Sequence, residues 1–250
     1  MIEVNEIFGP TIQGEGKRIG SPSVFIRFGR CNMSCEGFAV EYETPSGIKK
    51  LSCDSFHASD SAFSDQWDKY ESSKPLIEKV NKLLPNYKVD IVLTGGEPLL
   101  YWKDIEFQKF MKYYIDNGYH ITIETNASIN ITLDQEWQKK ILFSMSVKLS
   151  NSGESFNHRI NINTLVKIIN YTDESYLKFV IADSFLSKAK EEIDNILSDI
   201  PKVDVYLMPL GDTADIVDKN SQAVIAMAIE NGYKYSDRLH IRVWNNKRGV

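Results

Sequence analysis

The sequence predicts an α/β fold: a parallel sheet with helices packed outside it. Three observations carry this prediction. Short β-branched and aromatic runs recur along the chain, helix-period patterns lie between many of them, and polar motifs repeatedly follow the runs. In parallel α/β architectures the C-terminal edge of the strands carries the active site. The chain has 250 residues with no internal repeat, long linker or low-complexity tract, so it reads as one domain over 1–250.

The predicted strands, in order, are Val24–Arg27, Asp90–Leu93, His120–Glu124, Phe143–Val147, Leu177–Ile181, Val203–Leu207 and Leu239–Val243. Between them, Phe107, Phe110, Met111 and Tyr114 recur at helical spacing, with Gly118 as the stop signal. Ser184 caps a predicted helix running to Ile200, just before Pro201, and Ser221 caps another ending near Asn231–Gly232. The turn signal Thr44-Pro45-Ser46-Gly47 joins Ala39–Glu43 to Ile48–Ser52, which predicts a small β-hairpin within residues 36–52. Residues Phe56–Tyr70 have no clean period and read as a long loop.

Composition narrows the function classes. Apolar residues make up 42% and charged residues 25%, enough for a sizeable core without disulfides. The net charge of −5 and the lack of a basic run do not favour nucleic-acid binding. Nothing approaches a membrane-spanning apolar run, and the start Met1–Glu6 lacks the shape of a signal peptide. An odd, clustered cysteine set then points to a reducing cytoplasm.

All three cysteines, Cys31, Cys35 and Cys53, fall in one stretch with the spacing C-x3-C-x17-C. Three soft ligands and one open position suit an iron–sulfur cluster that binds something else at its fourth iron. Two other readings stand beside this one. The thiols are unrelated core residues, or they form a zinc site completed by His57.

The remaining motifs each have a bland reading as well. Thr94-Gly95-Gly96-Glu97-Pro98 is a turn whose glycines allow close backbone approach to a ligand, or simply a turn. In Thr11-Ile12-Gln13-Gly14-Glu15-Gly16, Gln13 and Glu15 form a donor–acceptor pair suited to a heterocycle edge, or a polar glycine loop. Arg27 ends an apolar strand, where a guanidinium can grip a carboxylate or only cap the edge. Lys148 and Lys178 are ligand anchors or snorkelling side chains. The ending Trp244–Val250 closes a pocket or frays. His120, His158 and His240 fit no ligand spacing and read as structural or exposed.

Taken together, Ile7–Gly16, Phe25-Ile26-Arg27, Cys31-Asn32-Met33-Ser34-Cys35, Cys53-Asp54-Ser55, Thr94–Pro98, Glu124-Thr125-Asn126, Ser146-Val147-Lys148 and Asn246-Lys247-Arg248-Gly249-Val250 resemble the 7-carboxy-7-deazaguanine synthase family of radical S-adenosylmethionine (SAM) enzymes. The match spans nearly the whole chain. Four departures stand out: 17 residues replace the usual two before the third cysteine, Ser55 replaces threonine, Val147 replaces proline and Ala127 replaces glycine.

The resemblance implies an incomplete, open (β/α) barrel of the radical SAM type, with the hairpin inserted in the cluster loop. It implies that Cys31, Cys35 and Cys53 hold a [4Fe–4S] cluster whose open iron binds SAM. Asp54, Gly96, Glu97, Ser146, Val147, Lys148 and Met208 would contact SAM. One electron, from a donor such as flavodoxin or ferredoxin, cleaves SAM to methionine and a 5′-deoxyadenosyl radical. The implied substrate is 6-carboxy-5,6,7,8-tetrahydropterin, converted with loss of ammonia to 7-carboxy-7-deazaguanine in queuosine-type 7-deazapurine biosynthesis. Arg27 would grip the substrate carboxylate, Ile12, Gln13, Gly14 and Thr94 would line the pterin site, and Val250 would close it. Ser55 would ligate Mg²⁺. The family implies a homodimer that binds no nucleic acid directly and no membrane. Rival readings are another radical SAM enzyme, such as a glycyl-radical activase, and a non-catalytic metal-stabilised binding protein.

Overall fold

The computed structural model describes residues 1–250. Its framework is a nine-stranded sheet. The strands are β1 (Ile2–Ile12), β2 (Pro22–Phe28), β5 (Asp68–Tyr70), β6 (Asp90–Gly95), β7 (Ile121–Thr125), β8 (Ile141–Met145), β9 (Ser175–Ile181), β10 (Asp204–Pro209) and β11 (Lys234–Tyr235). Their order is β11-β10-β9-β8-β7-β6-β2-β1-β5. From β2 through β11 every pairing is parallel, whereas β1 runs antiparallel to both β2 and β5. Each new parallel strand is added beside the last, as in a barrel. The sheet stays open, with β5 and β11 at its two ends, as the incomplete barrel requires. The predicted hairpin forms as a separate two-stranded sheet, β3 (Val40–Glu43) with β4 (Lys49–Ser52).

The helices are α1 (Phe56–Ser59), α2 (Ser73–Asn81), α3 (Ile105–Asp116), α4 (Phe156–Arg159), α5 (Ile162–Tyr171), α6 (Leu186–Ser198), α7 (Ala214–Asn231) and α8 (Leu239–Trp244). The longest connect successive parallel strands. Strand residues alternate between two buried faces. Ile26 and Phe28, Ile91 and Leu93, Ile121 and Ile123, Phe143 and Met145, Leu177 and Phe179, and Leu207 join the core that the helices cover. Their neighbours Arg27, Thr94, Glu124, Lys178 and Met208 face a cavity instead. Lower on that second face, Leu142, Tyr176 and Tyr206 form a small apolar plug. Hydrophobic floor and polar mouth therefore come from one alternation.

Four expectations need correction. Leu239–Val243 is not a strand but most of α8, held by hydrogen bonds such as Asn245 N to Ile241 O at 2.8 Å. Ser221 does not cap α7, which begins at Ala214; it lies inside the helix and donates to the Val217 carbonyl. Ser184 sits in a 3-10 turn, Asp183–Phe185, ahead of α6 rather than capping it. Residues Phe56–Tyr70 hold α1, a 3-10 turn over Ser61–Gln66 and edge strand β5. The structure also adds β1, which brings Ile12 and Gln13 to the mouth of the sheet. No helix is long and apolar enough to cross a membrane.

Candidate active site

A cavity of about 850 Å³ opens at the C-terminal edge of the parallel strands. Cys31, Cys35 and Cys53 line it, together with Ile12, Gln13, Gly14, Arg27, Asp54, Ser55, Thr94, Gly96, Ser146, Lys148, Met208 and Val250. Widely separated motifs therefore meet in one place.

The cysteine loop follows β2 and crosses the Gly95-Gly96 turn. A Cβ built on Gly96 would stand 1.9 Å from the Arg30 carbonyl oxygen, so only glycine allows this crossing. Burial raises all three thiol pKa values, Cys35 to about 12. Two backbone amides oppose it: the Met33 amide lies 3.4 Å from Cys31 Sγ, and the Ser55 amide favours the Cys53 thiolate. Soft and unpaired, with Cys35 buried and Cys31 and Cys53 half-buried at the cavity, the donors fit an iron–sulfur cluster. They share a wall without closing around a single-ion position. His57 does not turn to them. Its Nε2 lies 3.6 Å from Glu6 Oε1, beside Arg27, which disfavours a zinc site made from the thiols and this ring.

A belt of charge runs along the same cavity and reaches Asp54, next to Cys53. Glu15 lies between Lys178 (2.5 Å) and Arg238 (3.0 Å), and Arg238 reaches on to Asp54 at 2.6 Å. Burial alone would raise the Glu15 carboxyl. Lys178 and Arg238 outweigh it and hold the group well below the usual carboxylate range. Lys178 is correspondingly held charged, because Glu15 and Glu124 overcome its own desolvation. Further along, Arg27 donates to Glu6 at 2.8 Å and to the Ser55 hydroxyl at 3.1 Å. Arg248, in the C-terminal segment, stands 3.7 Å from the other Glu6 oxygen. Glu6 is pushed down to about 2: burial works against this, and His57 and Arg27 more than compensate.

Glu124, at the end of β7, organises the remaining wall. It accepts from Gln13 Nε2 at 3.1 Å and from the Thr94 hydroxyl at 2.7 Å, and the Glu15 amide donates to Gln13 Oε1. Gln13 and Thr94 are thus held in fixed orientation before any ligand arrives. A Cβ on Gly14 would meet His240 Nδ1 at 2.0 Å, so Gly14 lets α8 seat its histidine against the loop.

Two expected contacts do not face the cavity. Glu97 is fully buried, and its carboxylate accepts from Thr125 Oγ1, Leu99 N and Asn126 N at 2.6–2.9 Å. It braces the Gly-Gly turn against the end of β7. The Val147 side chain packs into the main core, whereas Ser146 and Lys148 on either side line the cavity and bond to each other. His240, expected to be structural or exposed, lines the site. Sequence reasoning missed Glu124, Arg238 and His240 as site residues. The Glu-Thr-Asn motif signals the first, while the other two sit at the start of α8, whose apolar alternation resembles a strand.

Comparison with known proteins agrees with this geometry. No family model matches the chain. The 7-carboxy-7-deazaguanine synthase of Halobacterium salinarum is 31% identical over an alignment of 269 positions, covering 98% of this chain and 91% of that protein. The enzyme of the same name from Rhodopirellula baltica is 32% identical over 256, covering 95% and 85%. Among solved structures, QueE from Escherichia coli matches with a TM-score of 0.66 at 21% identity, covering 96% of this chain and 94% of that one. SuiB of Streptococcus suis, bound to S-adenosylmethionine, matches with a TM-score of 0.50 at 11% identity, covering 84% and 51%. Those two are likenesses of fold; the curated relatives settle kinship. By identity, by coverage and by the residues gathered at one sheet edge, this chain belongs to the 7-carboxy-7-deazaguanine synthase family.

Proposed function

We propose that the protein is a radical SAM lyase that converts 6-carboxy-5,6,7,8-tetrahydropterin to 7-carboxy-7-deazaguanine with loss of ammonia. The observation that carries this reading is the cavity itself, which gathers three unpaired thiols, one buried and two half-buried, with a belt of charged and amide groups. A [4Fe–4S] cluster, when bound through Cys31, Cys35 and Cys53, supplies the electron that cleaves SAM.

The chain's own residues bind, orient and shield. The Gly96 and Glu97 amides are already bonded to Phe28 O and Arg30 O, so the turn offers a ligand its carbonyl oxygens, which suit the ammonium of SAM. Lys148 and Ser146 supply polar contacts and Met208 an apolar surface for the rest of that cofactor. Arg27 uses Nε and Nη1 on Glu6 and Ser55, which leaves Nη2 for the substrate carboxylate. Gln13, Thr94 and Glu124 present a rigid row of donors and acceptors to the pterin edge, with Ile12 and Gly14 beside them. Val250 and its neighbours line the same cavity and would close its mouth over bound substrate, shielding it from water. Ser55 is the residue to hold Mg²⁺; its hydroxyl would exchange the Arg27 hydrogen bond for the ion, with water and substrate completing the shell.

The same reading includes a one-electron donor such as flavodoxin or ferredoxin, a homodimer, and work in a reducing cytoplasm. It is tested by anaerobic reconstitution, with iron and sulfide analysis and chromatography of the nucleoside products. Close to four irons and four sulfides per chain, with SAM cleaved to 5′-deoxyadenosine on reduction, is the expected result. Stoichiometric zinc without sulfide would instead favour a metal-stabilised binding protein.

A further inference from the structure

The loop that follows β8 forms a saddle beneath the cysteine loop, and one carboxylate on it contacts a proposed cluster ligand. Glu154 Oε1 accepts from the Ser34 amide at 2.7 Å and from the Cys35 amide at 2.9 Å, with the Ser34 hydroxyl at 3.3 Å. Its other oxygen meets His158 Nδ1 at 2.8 Å. The contact is also close at Gly37. A Cβ on Gly37 would stand 2.3 Å from the Asn151 carbonyl oxygen and 2.7 Å from the Gly153 amide. From above, the Ser52 hydroxyl donates to the Ser34 carbonyl at 2.6 Å. The turn bearing Cys35 is thus gripped on both sides, and Cys35 itself takes a left-handed backbone, φ 52.

The three thiols differ in what surrounds them. Cys31 and Cys53 each have a backbone amide favouring the thiolate. No such amide serves Cys35: its own N–H and that of Ser34 are spent on Glu154, and what favours its thiolate is the Lys148 ammonium, which Glu154 opposes. Hydrogen bonds to cluster and ligand sulfur, and the net charge nearby, set the reduction potential of an iron–sulfur centre. A carboxylate that takes up two amides and adds a negative charge stabilises the oxidised centre.

We infer that Glu154 is a positioning residue for the cluster, pre-forming the Cys35 turn and holding the reduction potential low by keeping two amides and a negative charge on the Cys35 side. This rests on the reading of the three cysteines as cluster ligands. A low potential suits a centre that must pass one electron to a sulfonium, a difficult acceptor.

Two variants separate geometry from charge. Glu154→Gln keeps an oxygen able to accept both amides and removes the charge. Glu154→Ala frees the amides and unties the turn. Each is reconstituted anaerobically beside the wild type, assayed for iron and sulfide, checked for fold by circular dichroism, and titrated by EPR-monitored potentiometry. For Glu154→Gln the inference expects wild-type cluster content and a midpoint potential shifted positive. For Glu154→Ala it expects a positive shift with lower cluster retention. An unshifted potential in both variants overturns the inference and leaves the enzyme reading intact. So does Glu154→Gln losing cluster as Glu154→Ala does, which would make the residue a structural tie alone. Wild-type protein that holds no cluster overturns inference and reading together.

Discussion

Replacing Arg238 with methionine removes the centre of the charged belt while keeping much of its volume. The guanidinium donates to Glu15 at 3.0 Å, to Asp54 at 2.6 Å and to the Gly211 carbonyl. Without it, Glu15 keeps Lys178, whereas Asp54 keeps only the Ser55 hydroxyl, 3.4 Å from its other oxygen. Removing one partner of a buried pair costs about 3–5 kcal/mol when the remaining charge stays dry. Here Glu15 stays paired and the Asp54 carboxylate, 38% exposed toward the cavity, regains water. The expected loss at neutral pH is therefore roughly 2–3 kcal/mol, lowering the Tm of a chain this size by about 4–12 °C. The pH dependence has a definite sign. Burial opposes ionisation at both carboxyls, yet the cations hold both pKa values below their ordinary ones. A depressed carboxyl gives stability that is complete above its unfolded pKa and is lost as pH falls through the folded one. The wild-type advantage is thus full near pH 7 and shrinks below about pH 4.5. Urea unfolding of cluster-free wild type and Arg238→Met at pH 7 and near pH 3.5 measures both quantities. A difference under about 1 kcal/mol at pH 7, or an equal difference at the lower pH, would refute this role for Arg238.

Other substitutions probe the walls of the cavity separately. Arg27→Ala is expected to raise the apparent KM for the pterin about 10- to 100-fold, the worth of one charge-assisted contact, while dithionite-driven SAM cleavage continues. An unchanged KM would remove Arg27 from substrate binding. Ser55→Ala should lower turnover and alter its magnesium dependence, and an identical Mg²⁺ titration would count against the hydroxyl as a ligand. Gly96→Ala forces a methyl within 1.9 Å of the Arg30 carbonyl oxygen. It should cost about 3 kcal/mol in urea unfolding and reduce iron content, because the Gly-Gly turn and the cysteine loop would move apart; unchanged values for both would mean that the crossing is slack.

The parallel strands were legible because both faces are buried, which leaves near-continuous runs such as Asp90–Gly95. β1 was not, because Gly9, Pro10 and two register shifts break its alternation. The misreading of α8 has a local cause. Leu239, Ile241 and Val243 alternate like a strand, yet Ile241 is buried and Val243 is 56% exposed, and short apolar runs do not distinguish the two structures. Most of the cavity wall could be read from motifs at strand ends. The belt could not, since Arg238 lies 223 positions from Glu15 and 184 from Asp54, and only the folded chain joins them. Glu97 and Val147 mark a different limit. A motif identifies a turn, but once strand alternation ends it does not say which side chains face inward. The structure turns Gly96 and Lys148 to the cavity and sends those two into the protein.

The most direct test of the proposed chemistry is mass spectrometry of one anaerobic reaction containing the cluster-reconstituted protein, reductant, SAM, Mg²⁺ and 6-carboxy-5,6,7,8-tetrahydropterin. The account predicts 7-carboxy-7-deazaguanine over many turnovers. Formation of 5′-deoxyadenosine and methionine with the pterin untouched would contradict the substrate assignment. Neither SAM cleavage nor product from a protein with an intact, reduced cluster would contradict the enzyme reading itself.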